Sequence, residues 1–314
     1  MQQTRAHKSF MHHVAWGIVC AILLAVLAGI WLHAKTLEAA NTDLLKQLAV
    51  AKMPPTTCKV TGQWSPNSSK ELSVSTRDGE RKYIVHVPID FRDNQYYPLI
   101  FFYPGKGSSP LGSELSFGLD QLPAITVYPY PTTGTDGATA WESAPYASGA
   151  DDVGFTANIL DKMQTDMCID KTRIYATGFS NGGGFASLLS CKLPGRFAAY
   201  AVVAGALYSP YGECKPAAPS PLISIHGDND SIVPYNGVSS RNLPPVFDWT
   251  SMRAVAEKCS KPTTTYSGVN MVITAWSNCR SGSAVQNIRI VGGSHTWGAV
   301  PNDTLWQFLS RFSL

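Results

Sequence analysis

A serine flanked by glycines is the residue of this chain best suited to act as a nucleophile. Ser180 is the centre of a Gly-x-Ser-x-Gly pattern within the run TGFSNGGG at residues 177–184. An apolar run precedes it at residues 173–176, and an apolar-periodic run follows at residues 185–189. Strand, sharp turn and helix in this order predict a nucleophile elbow, whose glycines permit a turn that holds the serine clear of the sheet. The alternative is a plain glycine-rich loop, since the chain has 26 glycines.

A nucleophilic serine needs an imidazole within hydrogen-bond reach to accept its proton. Of the seven histidines, four flank an apolar N-terminal run, His86 lies in a predicted early strand, and His226 ends a strand before a Gly-Asp turn, where we predict a structural role. His295 remains, in the run GGSHTW between the last predicted strand and the last predicted helix. In a doubly wound sheet such a loop lies at the carboxyl edge, next to the elbow. We therefore predict His295 as the base, with a surface-loop histidine as the alternative.

The second nitrogen of that histidine should meet a carboxylate, which fixes the tautomer and stabilises the imidazolium. The run GDNDSIVPY at residues 227–235 follows a predicted strand and contains two candidates, Asp228 and Asp230. The resulting order along the chain, serine, aspartate and then histidine, is typical of the α/β-hydrolases and differs from that of chymotrypsin and subtilisin.

Ester chemistry of this kind also needs N–H donors directed at the oxyanion. One predicted donor is the backbone N–H of Asn181, the residue after the nucleophile, at the positive end of the following helix. The second should come from the turn after the apolar strand at residues 98–103, from Gly105 or Lys106. Pro104 cannot serve because it has no N–H.

Strand and helix patterns alternate along most of the chain. The predicted strands are residues 83–87, 98–103, 124–128, 173–176, 197–206, 221–226 and 288–291. The predicted helices are residues 151–167, 181–189, 248–258 and 302–312. This alternation predicts an α/β fold with a mostly parallel, doubly wound sheet and helices on both faces. A polar and aromatic loop at residues 129–149 is long enough that we predict a role in substrate contact.

Length and charge limit the classes of protein to which the chain could belong. The chain has 314 residues and is 44% hydrophobic, which suits one large α/β domain at residues 58–314. Three basic residues in the first 35 account for the whole net charge of +3, so the remainder is neutral. This distribution does not favour a nucleic-acid-binding protein.

The N-terminal region is predicted to direct export. A basic cytoplasmic tail at residues 1–13 precedes an apolar segment at residues 14–33, which we interpret as an uncleaved transmembrane signal-anchor. A helical stalk or linker follows at residues 34–57. A cleaved signal peptide is the competing interpretation. Both interpretations place the domain outside the cell, secreted or anchored to the membrane.

Export agrees with the cysteine count. Six cysteines lie in the domain and are predicted to form three disulfides of unspecified pairing: Cys58, Cys168, Cys191, Cys214, Cys259 and Cys279. Metal ligation is the alternative, but no close Cys/His spacing supports a metal site. Asn67 and Asn302 begin acceptor patterns for N-glycosylation, which a secreted surface could carry.

Taken together, the motifs resemble those of secreted feruloyl esterases in the carbohydrate-esterase and polyhydroxybutyrate-depolymerase branch of the α/β-hydrolases. The matching stretches are APY at 144–146, DDVGF at 151–155, CID at 168–170, TGFSNGG at 177–183, HGDND with VPY within 226–235, and GSHTW at 293–297. In this family the acid lies four residues before the Pro of Val-Pro-Tyr, which implies Asp230. One departure is Pro104-Gly105, where relatives commonly have His-Gly. A second is the long apolar N-terminus.

The resemblance implies a serine esterase without a cofactor, acting on hydroxycinnamoyl esters of plant cell-wall arabinoxylan. We also expect a monomer with no metal site. Trp141, Tyr146 and Trp297 are predicted to hold the aromatic acid by apolar contact and ring stacking. Rival functions with the same catalytic residues are hydrolysis of acetylated xylan, hydrolysis of a polyhydroxyalkanoate, and transfer of the acyl group to an acceptor other than water. A non-catalytic, membrane-tethered binding protein is a further rival, supported only by the altered Pro104-Gly105 turn.

Overall fold

The structure is a computed structural model that describes five helical positions between residues 28 and 35 and then residues 58–209, 215–298 and 302–314. It divides the chain into two compact units, Met1–Thr56 and Thr57–Leu314. The predicted basic tail, and most of the predicted anchor and stalk, lie outside the described residues. Within the part of the chain that is described, no helix is both long and apolar enough to cross a membrane.

A ten-stranded sheet runs through the second unit. Its strands are β1 (Ser68–Thr76), β2 (Gly79–Val87), β3 (Tyr97–Tyr103), β4 (Ile125–Pro129), β7 (Ile169–Phe179), β8 (Ala199–Val203), β9 (Leu222–Gly227), β10 (Thr263–Ser267), β11 (Met271–Trp276) and β12 (Val285–Ile290). A separate two-stranded sheet pairs β5 (Thr132–Thr133) with β6 (Thr139–Ala140). The spatial order of the large sheet is β1-β2-β4-β3-β7-β8-β9-β12-β11-β10.

The centre of the sheet is parallel and its two edges are antiparallel. Strands β4, β3, β7, β8, β9 and β12 pair in parallel. The chain passes from β3 to β4 on one side and then crosses to β7 on the other side of β3. Such a reversal leaves a crevice beyond the carboxyl ends of the two strands, where open α/β sheets bind ligands.

Helices cover both faces of the sheet. They are α1 (Pro110–Phe117), α2 (Asp152–Asp166), α3 (Asn181–Lys192), α4 (Val246–Ala256) and α5 (Asn302–Leu309). Apolar residues of α2, α3 and α4 belong to one core cluster, whereas those of α1 and α5 belong to a second. The predicted fold class, a mostly parallel sheet with helices on both faces, is confirmed.

Strand β3 separates the two cores. All of its residues are buried, as its apolar sequence predicts. Leu99 and Phe101 belong to the first cluster, and Ile100 and Phe102 belong to the second, because successive side chains of a strand point to opposite faces. This buried strand ends at Tyr103 and carries the next loop, with Gly105, to the edge of the sheet where β7 also ends.

The sequence patterns located all of the central strands but missed six elements. Strands β1, β10 and β11, the short strands β5 and β6 within the predicted loop, and helix α1 were not predicted. Residues of β10 are almost all exposed, so this edge strand has no buried face to produce an apolar alternation. Helix α1 has only three buried residues and is capped by Ser109, whose hydroxyl accepts a hydrogen bond from the N–H of Gly112 at 3.0 Å.

Disulfides join distant parts of the unit. Cys58 bonds to Cys168, and Cys259 bonds to Cys279. Cys191 is also disulfide-bonded, and Cys214 lies outside the described residues. Among the described residues, no group of three or more His, Cys, Asp or Glu side chains could hold a metal ion.

Candidate active site

Ser180 occupies a strained turn between β7 and α3. Its φ of 56° and ψ of −121° are rare for a residue with a side chain and are typical of a functional turn. Two neighbouring glycines make the turn possible. A Cβ on Gly178 would lie 2.3 Å from the carbonyl oxygen of Gly182, and one on Gly182 would lie 2.0 Å from that of Tyr103. The glycines of the motif therefore allow backbone segments to approach too closely for any side chain.

The helix behind Ser180 is fixed by a buried asparagine. The Asn181 side-chain oxygen accepts a hydrogen bond from the backbone N–H of Trp141 at 2.8 Å, and its amide nitrogen donates to the Ser143 hydroxyl at 3.2 Å. Ser143 in turn donates to the backbone carbonyl of Asn181 at 3.2 Å. These bonds hold the first residue of α3, whose N–H belongs to the electropositive end of the helix.

His295 and Asp230 are in direct contact. Nδ1 of His295 lies 2.7 Å from Oδ2 of Asp230. The carboxylate is buried, and its Oδ1 accepts the backbone N–H groups of Ile232 at 2.9 Å and Val233 at 2.8 Å. Because the carboxylate only accepts, His295 must carry its proton on Nδ1, which leaves Nε2 free to take a proton.

Asp230 is held in its ionised form. Burial alone would raise the pKa of the carboxyl group, but hydrogen bonds from His226, His295 and the N–H of Val233 outweigh it. The net result is a pKa well below the usual range of an aspartate. The other candidate, Asp228, accepts the N–H of Gly292 at 2.7 Å and lies 3.5 Å from Arg289, so its role is to hold the histidine loop.

The histidine loop packs against the elbow. The ring of His295 lies 4.8 Å, between centroids, from the ring of Phe179, the residue before Ser180. At the base of this loop a Cβ on Gly227 would lie 2.2 Å from the carbonyl oxygen of Gly293, so the close approach of strand end and loop requires glycine. The structure thus brings the serine turn and the histidine–aspartate pair to one edge of the sheet.

The predicted oxyanion turn lies beside the serine. A Cβ on Gly105 would be 3.3 Å from the Cβ of Ser180. The carbonyl of Pro104 accepts a hydrogen bond from the indole of Trp141 at 2.9 Å, which fixes the turn from below. The Lys106 side chain points outward, pairs with Asp136, and lies 4.3 Å from the ring centroid of Tyr146.

Comparisons with known proteins give the family. No protein-family model matches the chain. Feruloyl esterase B of Piromyces equi is 32% identical over 252 residues, which is 74% of this chain and 46% of that protein. Feruloyl esterase D of Neurospora crassa is 28% identical over 267 residues, which is 78% of this chain and 87% of that protein. An acetyl xylan esterase structure from Aspergillus awamori superposes with a TM-score of 0.57 at 16% identity, covering 77% of this chain and 99% of the other.

The chain has the α/β-hydrolase fold and is similar in sequence to the feruloyl esterases. The family resemblance expected from the motifs is therefore confirmed, as is the fold that it implies. The chain spans about half the length of the Piromyces relative, 46%.

One predicted substrate contact in this α/β-hydrolase is wrong. Trp141 is completely buried, stacks on Phe185 with a centroid separation of 5.1 Å, and has its indole N–H bonded to Pro104. It has no surface left for a substrate. Its bonds to Pro104 and Asn181 instead give it a positioning role, because Pro104 precedes the predicted donor Gly105 and Asn181 is itself the other predicted donor.

The other two predicted contacts differ in exposure. Trp297 is buried and stacks on Phe117 at 5.2 Å, and its indole N–H donates to the side-chain oxygen of Asn302 at 3.0 Å. It therefore supports the site from behind. Tyr146 is half-buried, lies edge-on to Tyr208 at 5.8 Å, and has the ammonium of Lys106 above its ring.

The predicted glycosylation site at Asn302 conflicts with its side-chain contacts. Its amide nitrogen, the atom that would carry a glycan, donates to the backbone carbonyl of Phe117 at 2.7 Å. The same side chain accepts the indole N–H of Trp297, so both of its polar atoms are engaged within the protein. Asn67 is exposed, and its glycosylation stays a prediction.

Sequence reasoning missed three residues beside the predicted catalytic group. His226 is buried and lies 3.2 Å from the Asp230 carboxylate. Phe179 is a half-buried aromatic residue that contacts the His295 ring, and the half-buried Phe117 packs against Phe179. Phe179 could have been suspected from its position before the serine, but Phe117 lies in an unpredicted helix.

Proposed function

We propose that this chain is a serine carboxylesterase that hydrolyses hydroxycinnamoyl esters of plant cell-wall polysaccharide. The observation that carries the proposal is the 2.7 Å hydrogen bond between His295 and the buried Asp230. The ring of His295 also contacts Phe179, the residue before Ser180. A strained serine, an oriented imidazole and a helix N-terminus at one place are the components of acyl transfer. The names of the Piromyces and Neurospora relatives supply the substrate class.

In the first half of the reaction, the Ser180 hydroxyl oxygen attacks the ester carbonyl carbon while Nε2 of His295 takes the hydroxyl proton. Negative charge then develops on the carbonyl oxygen, where the N–H of Asn181 and that of Gly105 or Lys106 stabilise it. Asp230 keeps the imidazole oriented and stabilises its positive charge. As the tetrahedral intermediate collapses, His295 gives the proton to the departing alcohol oxygen, and the acyl group stays on Ser180.

In the second half, a water molecule attacks the acyl-enzyme carbonyl and gives a proton to His295. The same donors bind the second oxyanion, and the proton returns to the Ser180 oxygen as the free acid leaves. Each proton that enters the imidazole leaves it within one turnover.

The acyl group could instead be acetate. This second candidate is supported by the acetyl xylan esterase structure that superposes on the chain and by a Neocallimastix patriciarum relative named a bifunctional acetylxylan esterase/xylanase. Both candidates share the catalytic residues and differ only in what must hold the acyl group. Export of the domain, in either case, is supported by its disulfides.

The full chain and its Ser180→Ala variant should be compared on methyl ferulate and p-nitrophenyl acetate. Alanine has the size of serine without the hydroxyl, so the variant should keep the fold, checked by circular dichroism, and lose turnover of both esters. Serine-dependent turnover of methyl ferulate supports the feruloyl assignment. Turnover of the acetate alone would favour the acetyl candidate, and turnover that survives in Ser180→Ala would refute the serine mechanism. Inactivity of the folded wild type on both esters would favour a binding protein.

A further inference from the structure

Two half-buried phenylalanines border the space above Ser180. The ring of Phe179 contacts the His295 ring, and its Cδ1 would lie 3.2 Å from a Cβ on Gly105. Phe179 therefore sits between the predicted base and the predicted oxyanion turn. Phe117 packs edge-on against it with a centroid separation of 5.7 Å. An ester carbonyl bound at Ser180 would place one of its substituents within reach of these two rings.

The rings are backed by a rigid layer. Phe117 stacks on the buried Trp297, and Phe102 packs edge-on against both at 5.4 and 5.2 Å. Asn302, which lies 185 positions after Phe117, donates to the backbone carbonyl of Phe117 and accepts the indole N–H of Trp297, and so joins α1 to the histidine loop. A surface held in this way needs no reorganisation to receive a flat ring, which lowers the entropic cost of binding.

A polar groove lies on the other side of the elbow. It has a volume of about 460 Å³ and is lined by the hydroxyl and amide residues Ser209, Asn236, Ser239 and Asn242 beside an apolar Leu-Pro-Pro segment. None of the described residues that line it is charged. Neutral hydrogen-bonding groups next to apolar surface suit a neutral sugar, and the volume lies in the range of ligand sites.

Backbone contacts fix where this groove lies. The N–H of Ala206 donates to the carbonyl of Ser180 at 2.9 Å, and the N–H of Ser209 donates to that of Asn242 at 2.8 Å. Three residues of chain span at most about 11 Å, so the groove begins near the nucleophile. Among the lining residues, Ser209 follows β8 and the others follow β9, whereas Phe117 follows β3. Strands β8 and β9 lie on the opposite side of β7 from β3.

We propose that the ester binds across Ser180 with its aromatic acyl ring against Phe117 and Phe179 and its sugar alcohol in the groove lined by Asn236 and Ser239. This orientation rests on the proposed function. It assigns the acyl half and the alcohol half of the ester to different surfaces. An apolar wall cannot satisfy the hydroxyl groups of a sugar, whereas a planar aromatic acid gains contact area there.

Two small esters test the binding of the acyl group and the binding of the alcohol independently. Methyl ferulate has an aromatic acyl group and a small alcohol, and p-nitrophenyl acetate has the reverse. In Phe117→Leu and Phe179→Leu, the ratio of kcat/KM for methyl ferulate to that for p-nitrophenyl acetate should fall about tenfold, because each change removes a ring contact. Phe247→Leu is the matched control, since Phe247 is an exposed ring on α4 that contacts Trp276, and its ratio should equal that of the wild type.

The groove is tested with a feruloylated arabinoxylan oligosaccharide. Asn236→Ala should raise the ratio of KM for the oligosaccharide to KM for methyl ferulate about fivefold. Asn270 is exposed on another part of the chain, and Asn270→Ala should leave this ratio unchanged. An unchanged ratio in both phenylalanine variants, a larger loss on p-nitrophenyl acetate, or an unchanged oligosaccharide KM would overturn the orientation. Serine-dependent turnover by the wild type supports the proposed function independently, so these results would overturn the orientation alone. An inactive wild type would overturn both.

Discussion

Nδ1 of His295 donates a hydrogen bond to Oδ2 of Asp230 across 2.7 Å, although 65 positions separate the two residues in sequence. The acceptor is buried and receives two backbone N–H groups on its other oxygen. The N–H groups of the short run SIVP that follows Asp230 thus hold its carboxylate in place. This fixed carboxylate in turn orients the imidazole of His295.

His226 should act as a positioning residue for this pair. Its Nε2 lies 2.8 Å from the Val233 carbonyl and 3.2 Å from Asp230, and its Nδ1 has no hydrogen-bond partner among the described residues. His226→Phe should lower kcat about tenfold and the free energy of unfolding by about 1–3 kcal/mol, because two buried acceptors lose a donor. His226→Gln, which keeps an N–H at the Nε2 position, should recover most of kcat. If KM changes and kcat does not, His226 does not position the pair.

Stability at low pH should depend on Asp230. Its folded pKa lies below the value of about 3.9 for an unfolded aspartate, so its contribution is fully present above that value and is lost as pH falls towards the folded pKa. Asp230→Asn should therefore be less stable than the wild type at pH 6, and the difference should shrink below about pH 4. Urea unfolding of both proteins between pH 2.5 and 6 measures this. A difference that does not vary with pH would contradict the assigned charge state.

A methyl group added at Gly105 should impair catalysis and leave folding almost unchanged. The added Cβ would press on Phe179 at 3.2 Å and on the Cβ of Ser180 at 3.3 Å, both of them side-chain atoms. Gly105→Ala should lower kcat/KM about tenfold to a hundredfold with little change in melting temperature, since small displacements of reacting groups are costly. Gly298→Ala, which meets nothing within 4 Å, is the control. Equal activity of the two variants would remove Gly105 from the site.

The buried pair of Arg81 and Asp152 should be essential to stability. Their side chains lie 2.8 Å apart and are 8% and 1% exposed, and Asp152 also accepts the N–H of Glu142 at 2.8 Å in the long loop. Arg81→Met leaves a buried carboxylate unpaired and should lower the free energy of unfolding by about 3–5 kcal/mol. The double variant with Asp152→Asn should recover part of the loss. Simple additivity of the two single losses would show that the residues are not coupled.

Local patterns predicted the part of the site that is local in sequence. The glycines around Ser180 determine a turn through contacts only a few residues away, and the loop with His295 follows a clear strand pattern. The choice between Asp228 and Asp230 came from the family resemblance. Their different surroundings depend on the approach of Gly293, which no spacing in the sequence reveals.

The surfaces around the site could not be predicted in the same way. Trp141 looks like a loop aromatic in the sequence, yet tertiary packing buries it completely between Pro104, Asn181 and Phe185. Asn302 looks like a glycan acceptor, yet it bonds to a helix 185 residues earlier. Both outcomes depend on long-range contacts that composition and periodicity do not encode.

The most direct test of the serine mechanism is covalent labelling. The full chain should be treated with a fluorophosphonate, digested and analysed by mass spectrometry for the modified residue. We predict one adduct, on Ser180, formed at least about a hundredfold more slowly in His295→Ala and absent in Ser180→Ala, because only an imidazole-activated serine attacks the phosphorus. Labelling at another residue, or at an equal rate without His295, would contradict the catalytic assignment.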